Sequence, residues 1–223
     1  MTKKASTWSF SRLKAFEQCP FQFYHMKVLQ TYSEPETEAM LYGTAFHDAA
    51  EHYVAGDKEL PARFDFAKAL LDKLIKRKGE KLPEFKMGLT QDLQPCGFFD
   101  DDVWFRGIAD LTILNGDVAE VLDYKTGRNA KYADKGQLEL MALATFAHYP
   151  EVNTVKAGLL FVVANAFVTD KYHRDDIPQM WEKWLTKHAR MEKAYETDVW
   201  NAHPSGLCKK HCAVLDCVHN GRK

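Results

Sequence analysis

The stretch Val103-Trp-Phe-Arg-Gly107-Ile-Ala-Asp110-Leu-Thr-Ile-Leu-Asn115-Gly116-Asp117-Val118-Ala-Glu-Val-Leu-Asp123-Tyr-Lys125-Thr-Gly127 decides how this 223-residue chain is read. Val103–Leu114 and Val118–Lys125 are rich in β-branched and aliphatic residues. Asn115-Gly116-Asp117 between them is a turn signal, so the segment predicts a β-hairpin. With Gly116 and Asp117 as a two-residue turn, Asn115 pairs with Val118, and counting outward sets Asp110 directly opposite Asp123. A turn on Asn115 and Gly116 would instead shift the pairing by two residues. Side chains alternate along a strand, so Lys125 shares the face of Asp123, above an apolar base of Leu114, Ala119 and Val121.

Two carboxylates facing each other across a ladder repel. A hard divalent cation removes that penalty, because Mg²⁺ is held by one or two carboxylates together with water and phosphate oxygens. Such an ion polarises a phosphoryl oxygen and lowers the pKa of a bound water. Lys125 can orient the attacking water or stabilise charge on the phosphate. The same trio also suits an ordinary surface salt bridge, and the hairpin alone leaves both readings open.

Working outward, Ser9 suits the cap of a helix over Phe10–Met26, with a break expected just after Cys19 at Pro20. Apolar periodicity predicts helices over Glu36–Val54 and Pro61–Lys78. Glu84–Leu89 is a weak strand candidate ahead of the hairpin. A helix over Asp134–His148 follows it, then two buried strands, Val155–Val163 and Phe167–Lys171, and a last helix over Ile177–Tyr195. This order predicts one α/β domain spanning 1–223 around a central mixed sheet.

Thirty Lys and Arg against 31 Asp and Glu leave a net charge of −1, which excludes a chain that binds nucleic acid by bulk positive charge. An apolar content of 46% sustains a core and excludes wholesale disorder. No apolar segment follows Lys3 and Lys4, and Ala157–Val168, broken by Asn165, is too short to cross a bilayer. A cytoplasmic protein without membrane contact is therefore expected. Three of the five cysteines crowd into the last 16 residues, which in a reducing compartment points to metal or cluster ligation. Cys96 stands apart as a buried or free thiol.

Gly107-Ile-Ala-Asp110 followed by Asp123-Tyr-Lys125-Thr-Gly127 resembles the PD-(D/E)XK nuclease superfamily, specifically its RecB/AddB-like branch, which includes CRISPR-associated RecB-type exonucleases. Gly43-Thr-Ala-Phe-His47-Asp-Ala-Ala-Glu51 and Ser9-Phe-Ser11-Arg-Leu13 with Cys19-Pro20 match further signatures of that branch, so the resemblance spans about residues 9–217. It implies a restriction-endonuclease-like core and a metal-dependent DNA nuclease, chiefly an exonuclease in recombination, repair or DNA processing. Asp110, Asp123, Lys125 and Gln137 would be catalytic. His47, Asp110, Asp123 and the backbone carbonyl of Tyr124 would hold Mg²⁺ or Mn²⁺, with Glu51 supporting them. Met141 stands where the branch has a tyrosine, so any role of that ring is lost or supplied elsewhere.

By the same resemblance Cys19, Cys208, Cys212 and Cys217 would hold a 4Fe-4S cluster that joins residues 1–30 to 200–223. The spacing Cys208-x-x-x-Cys212-x-x-x-x-Cys217 departs by one residue at each gap from the usual C-x-x-C-x(5)-C, and His203, His211 and His219 leave a Zn²⁺ site open as an alternative. Arg128, Lys131 and Lys135 are candidate DNA contacts, each equally at home in a solvated loop. The basic run Lys73–Lys78 with Lys81 and Lys86 reads first as a solvated helix end and second as a DNA contact. DNA is the expected partner, and any helicase or recombination motor must come from another chain, since no G-x-x-x-x-G-K-[ST] motif is present. A non-catalytic DNA-binding or scaffold subunit is the alternative, disfavoured by the intact Asp110, Asp123 and Lys125.

Overall fold

A computed structural model describes residues 7–34 and 36–222, so residues 1–6 at the head of the expected cluster subregion lie outside the described residues. The chain divides into two compact units, residues 37–181 and residues 1–36 with 182–223. Helices are α1 (Phe10–Gln18), α2 (Pro20–Phe23), α3 (Glu38–Ala55), α4 (Asp65–Ile75), α5 (Gly136–His148) and α6 (Ile177–Thr197). Strands are β1 (Glu80–Leu89), β2 (Pro95–Cys96), β3 (Phe105–Asn115), β4 (Val118–Lys125), β5 (Thr154–Phe161) and β6 (Ala166–His173). They form one mixed sheet in the order β2-β1-β3-β4-β5-β6, antiparallel throughout except for the parallel pair β4–β5. Helix α5 forms the crossover between those two strands, the connection a parallel pair requires. The α/β class and the mixed sheet flanked by helices are as the sequence predicts.

In residues 37–181, one sheet face carries Leu111, Ile113, Leu122, Tyr124 and Leu160. They pack with Phe46, Ala50 and Val54 of α3 and Ala67, Leu71 and Leu74 of α4. On α5 nearly every position from Leu138 to Phe146 is buried, which explains why that helix carries so little amphipathic signal in its sequence. The hairpin turns at Gly116, whose φ of +61° favours glycine, and Asn115 pairs with Val118 as expected. Asn115-Gly116 as the turn is thereby ruled out.

Three elements depart from expectation. Strand β1 begins at Glu80, not Glu84, because it pairs with β3 along its whole length. Pro83 is tolerated within it because β2 covers only Gly88 and Leu89 on the other side. Strand β6 is not buried: its residues alternate between half-buried and exposed, as befits an edge with a neighbour on one side only. The third helix is shorter than expected, a 3₁₀ turn at Ala62–Phe64 followed by α4.

Side-chain alternation shifts once in β1 and β3. Phe85 lies 5.7 Å from His148, and Met87 Sδ accepts from Thr145 Oγ1 at 3.6 Å, so both face α5. Yet Leu111 and Ile113, in register with the same odd series, face α3 and α4. Glu84 sits at the shift, with φ of +48° and flanked by the pairs Pro83–Leu111 and Phe85–Ala109. It therefore stands opposite Asp110.

In the other unit, Ser9 Oγ caps α1 by accepting the Arg12 amide at 3.3 Å. The helix stops at Cys19, whose extended backbone (φ −164°, ψ 105°) lets it cap α2, its thiol accepting the Gln22 amide at 3.5 Å. Trp200 stacks on Tyr24 at 4.9 Å and meets Tyr195 edge-on at 4.9 Å. On α6, His188 is only 2% exposed and lies 4.9 Å from the Trp8 ring. Burial lowers its pKa to about 4, so folding favours the neutral ring. Its contribution is present above the unfolded value of about 6.5 and lost as pH falls through 4. The unfolding free energy from urea titration is expected to drop over that window by roughly 3 kcal/mol at most, and His188→Phe should flatten the drop. Parallel losses in both proteins would show that His188 is not the titrating group.

Candidate active site

The β3–β4 ladder runs from Asn115–Val118 to Leu111–Leu122 and pairs no further. Asp110 and Asp123 are the next residues on each strand, so they face each other at the mouth where the strands part. Asp110 Oδ2 accepts the Tyr124 amide at 2.5 Å, a side chain taking the place of the next ladder bond. Its Oδ1 lies 2.8 Å from His47 Nδ1. His47 comes from α3, which crosses close to the strand end: a Cβ on Gly43 would meet Thr126 Oγ1 at 3.4 Å.

Asp123 is 6% exposed. Its Oδ1 accepts Gln137 Nε2 of α5 at 2.5 Å. Its buried Oδ2 lies 2.7 Å from Lys125 Nζ as an ion pair. Thus Asp110, Asp123, Lys125, Gln137 and His47 come together, each on the element expected. Burial and the Asp110 charge push the Asp123 carboxyl well above the usual carboxylate range, outweighing Lys125. His47 is raised too: burial alone would lower it, but the hydrogen bond and charge of Asp110, with the charge of Asp123, prevail. Tyr124 sends its ring into the core, 6.0 Å from Phe46, where burial raises the phenol. Only its backbone is free to serve the site.

One acid escapes sequence reading. Glu84 stands opposite Asp110 between the pairs Pro83–Leu111 and Phe85–Ala109, and burial raises its carboxyl, with the charges of Asp110 and Glu51 adding to the rise. Its position opposite Asp110 depends on pairing β1 with β3 across an intervening loop that carries no register signal. Arg128 and Lys131 are exposed, and Lys135 Nζ is 3.1 Å from Asp170 of β6. Met141 is buried in α5.

The four candidate cysteines line one cavity, together with His203 and His219. All are free thiols. The amides of Gln22 and His203 point at Cys19 Sγ (3.5 and 3.4 Å), and that of Ser205 at Cys208 Sγ (3.4 Å). Burial raises the Cys212 thiol, and Cys208, Cys217 and Cys19 raise it further. Cys96 is half-buried, and its thiol comes within 4.8 Å of carboxylate oxygens of the exposed Asp100 and Asp102.

A mixed sheet whose parted strands present two carboxylates, a lysine two residues on and a histidine from α3 defines a nuclease of the restriction-endonuclease-like fold. Residues 7–92 and 79–217 match the PD-(D/E)XK nuclease superfamily, to which this chain belongs. Among curated proteins none matches the sequence. Among solved structures, a candidate exonuclease from Eubacterium rectale is 12% identical, covers 95% of this chain and 88% of its own, and superposes with a TM-score of 0.53. The structure of SSO0001 is 14% identical over 99% of this chain and 90% of its own, with a TM-score of 0.47. Among the described residues no helix is long and apolar enough to cross a membrane.

Superfamily members use divalent metals, and the donor set here fits one: two facing carboxylates, of which the buried Asp123 is raised in pKa, and a raised imidazole, His47. Both raised groups lower the stability of metal-free protein as pH rises through their folded values. In EDTA, melting temperature is expected to fall between pH 5 and 7 by roughly the equivalent of 1–2 kcal/mol. Asp123→Asn, which removes the buried like charge, should blunt the fall, and Mg²⁺ should reverse it in the parent only. A parent that melts identically at both pH values would contradict this reading of Asp123.

Proposed function

We propose that this protein is a Mg²⁺- or Mn²⁺-dependent deoxyribonuclease, acting mainly as an exonuclease on DNA ends or single strands in recombination, repair or DNA processing. The observation that supports this most directly is the buried Asp123 carboxylate, clamped by Gln137 on one oxygen and facing Lys125 with the other, across from the His47–Asp110 pair. His47, Asp110, Asp123 and the Tyr124 carbonyl would hold the ion, whose contribution is to polarise the phosphoryl oxygen and acidify the attacking water.

The protein's own groups do the rest. Gln137 fixes the rotation of the Asp123 carboxylate. Lys125 directs a water towards phosphorus and offsets charge gathering on the phosphate oxygens. The water oxygen–phosphorus bond forms as the opposite phosphorus–oxygen ester bond breaks, in line. Asp110 holds the imidazole of His47 in place. Glu51 and Glu84 enlarge the negative field that draws a cation in.

The cysteine cavity suits a 4Fe-4S cluster that ties residues near Cys19 to the tail. Amides aimed at sulfur are the hydrogen bonds that tune such clusters. No three of the four thiols lie within 4.8 Å of one another, whereas one zinc at about 2.3 Å from each sulfur needs them about 3.8 Å apart. A helicase or recombination partner, if this chain works with a motor, is a separate polypeptide. A cytoplasmic site of action suits reduced thiols.

Purified protein with Mg²⁺ or Mn²⁺ is expected to degrade linear DNA faster than end-blocked or circular DNA. Asp123→Ala should abolish this, and Gln137→Ala should slow it roughly 10- to 100-fold. Equal cleavage by parent and Asp123→Ala would exclude this site, and equal rates on circular and linear DNA would replace exonuclease by endonuclease. Protein isolated without oxygen should be brown, with a broad visible absorption that Cys208→Ser removes. A colourless protein carrying one zinc would assign the thiols to zinc.

A further inference from the structure

A strip of side chains leads away from the acids along β3. Arg106, Ile108 and Asp110 alternate with Gly107 and Ala109, and Lys86 of β1 pairs with Ile108. All therefore share the side of the sheet on which Asp110 meets α3. At about 3.4 Å per residue, Arg106 lies about 14 Å along the strand from Asp110. The loop after β2 folds over this far end. It is seated there by Gly88, the register partner of Arg106, where a Cβ would strike the carbonyl oxygens of Gly97 (2.7 Å) and Cys96 (2.9 Å).

That loop presents Phe98 and Phe99, edge to face at 5.0 Å, with the Arg106 guanidinium 5.2 and 5.7 Å from their ring centres. Phe99 is 75% exposed, the most exposed aromatic ring among the described residues, and Ile108 is exposed as well. Arg106 Nε is buried without a hydrogen bond, and Lys86 is exposed. A bare ring beside a guanidinium whose Nε makes no hydrogen bond matches the two faces of a nucleotide: the base stacks, the phosphate pairs with the cation. A duplex keeps its base faces stacked inside, so the ring selects unpaired bases. Asp100 and Asp102 flank the loop. Asp100 is turned onto the Gly97 amide at 2.6 Å, and both acids would keep the phosphates on the Lys86 side.

We propose that Phe99, Arg106, Ile108 and Lys86 form a track for single-stranded nucleic acid that delivers the strand along β3 to the acids at Asp110 and Asp123. The proposal rests on the nuclease reading and adds the substrate it favours, an unpaired strand held by one stacked base and two phosphate contacts.

The test uses full-length Asp123→Asn protein in EDTA, a short dye-labelled oligothymidylate, and fluorescence anisotropy. Phe99→Ala should weaken binding about tenfold while Phe99→Tyr restores it. Lys86→Gln should reduce the salt slope by about one. Phe167→Ala, which removes an exposed ring on β6 at the far edge of the sheet, should change nothing. In the active background, Phe99→Ala should raise KM for single strands and leave kcat in place. Cleavage by the parent together with unchanged affinity in Phe99→Ala overturns the track alone. No binding and no cleavage of any nucleic acid by the parent overturns the nuclease reading and the track with it. Equal losses in Phe99→Ala and Phe167→Ala reduce the effect to general apolar contact and overturn the track.

Discussion

Two carboxylates held together at the open end of one hairpin are the constraint around which residues 37–181 are arranged. Like charges at that separation repel, and one of them is buried, so neither would stay without compensation. The fold gives each of their oxygens a directed neighbour. Asp110 takes the Tyr124 amide and His47, while Asp123 takes Gln137 and lies against Lys125. Those neighbours come from the far strand, from α3 and from α5, so the register of the hairpin and the placing of both helices serve the same pair of acids.

Strand β4 shows how the mouth stays open without unravelling the sheet. On one side it remains paired with β5 through Lys125–Phe161, and the Val162 amide donates to the Lys125 carbonyl at 3.0 Å. On the other side its ladder with β3 ends at Leu122. A strand held along one edge and released along the other keeps its alternation, so Leu122 and Tyr124 stay in the core while Asp123 and Lys125 point the opposite way. The release frees the Tyr124 amide, which the Asp110 carboxylate captures. The break in the ladder and the orientation of Asp110 are thus one event.

What the sequence discloses follows from how local the information is. The hairpin was legible because its turn, register and alternation lie within 25 residues, and Asp110, Asp123 and Lys125 followed from counting. His47 and Gln137 were legible only through resemblance: an isolated histidine on a helix carries no sign of which strand it will meet. Glu84 was not legible at all. Its place beside Asp110 needs β1 to cross the loop Thr90–Trp104 and pair with β3, and needs a shift of side-chain alternation at a left-handed residue that no propensity foretells. The burial assigned to β6 failed for a related reason. Apolar residues in a strand do not say whether a neighbour lies on both sides, and here β6 ends the sheet.

The tail poses the opposite problem, much chemistry and little packing. Residues 198–222 contain only one 3₁₀ turn, and few of their apolar residues are buried: Trp200, and Val214 and Cys217, which cluster with Met26. Such a segment buries too little to repay its ordering entropy by the hydrophobic effect alone. Hydrogen bonds help locally, since Asn220 Nδ2 donates to the carbonyls of Val214 (2.8 Å) and Cys212 (3.2 Å), and Tyr32 donates to Asp216 at 2.6 Å. These tie turns together but bring no apolar mass. Four thiols converge on one cavity, and the His203 amide reaches Cys19 across 184 positions; in such sites the strength of any ligation counts directly as stability. The spacing of the cysteines in the sequence matters less than their convergence: one residue more or fewer between ligands is absorbed by an irregular loop, whereas a helix or strand would carry the thiol to another face.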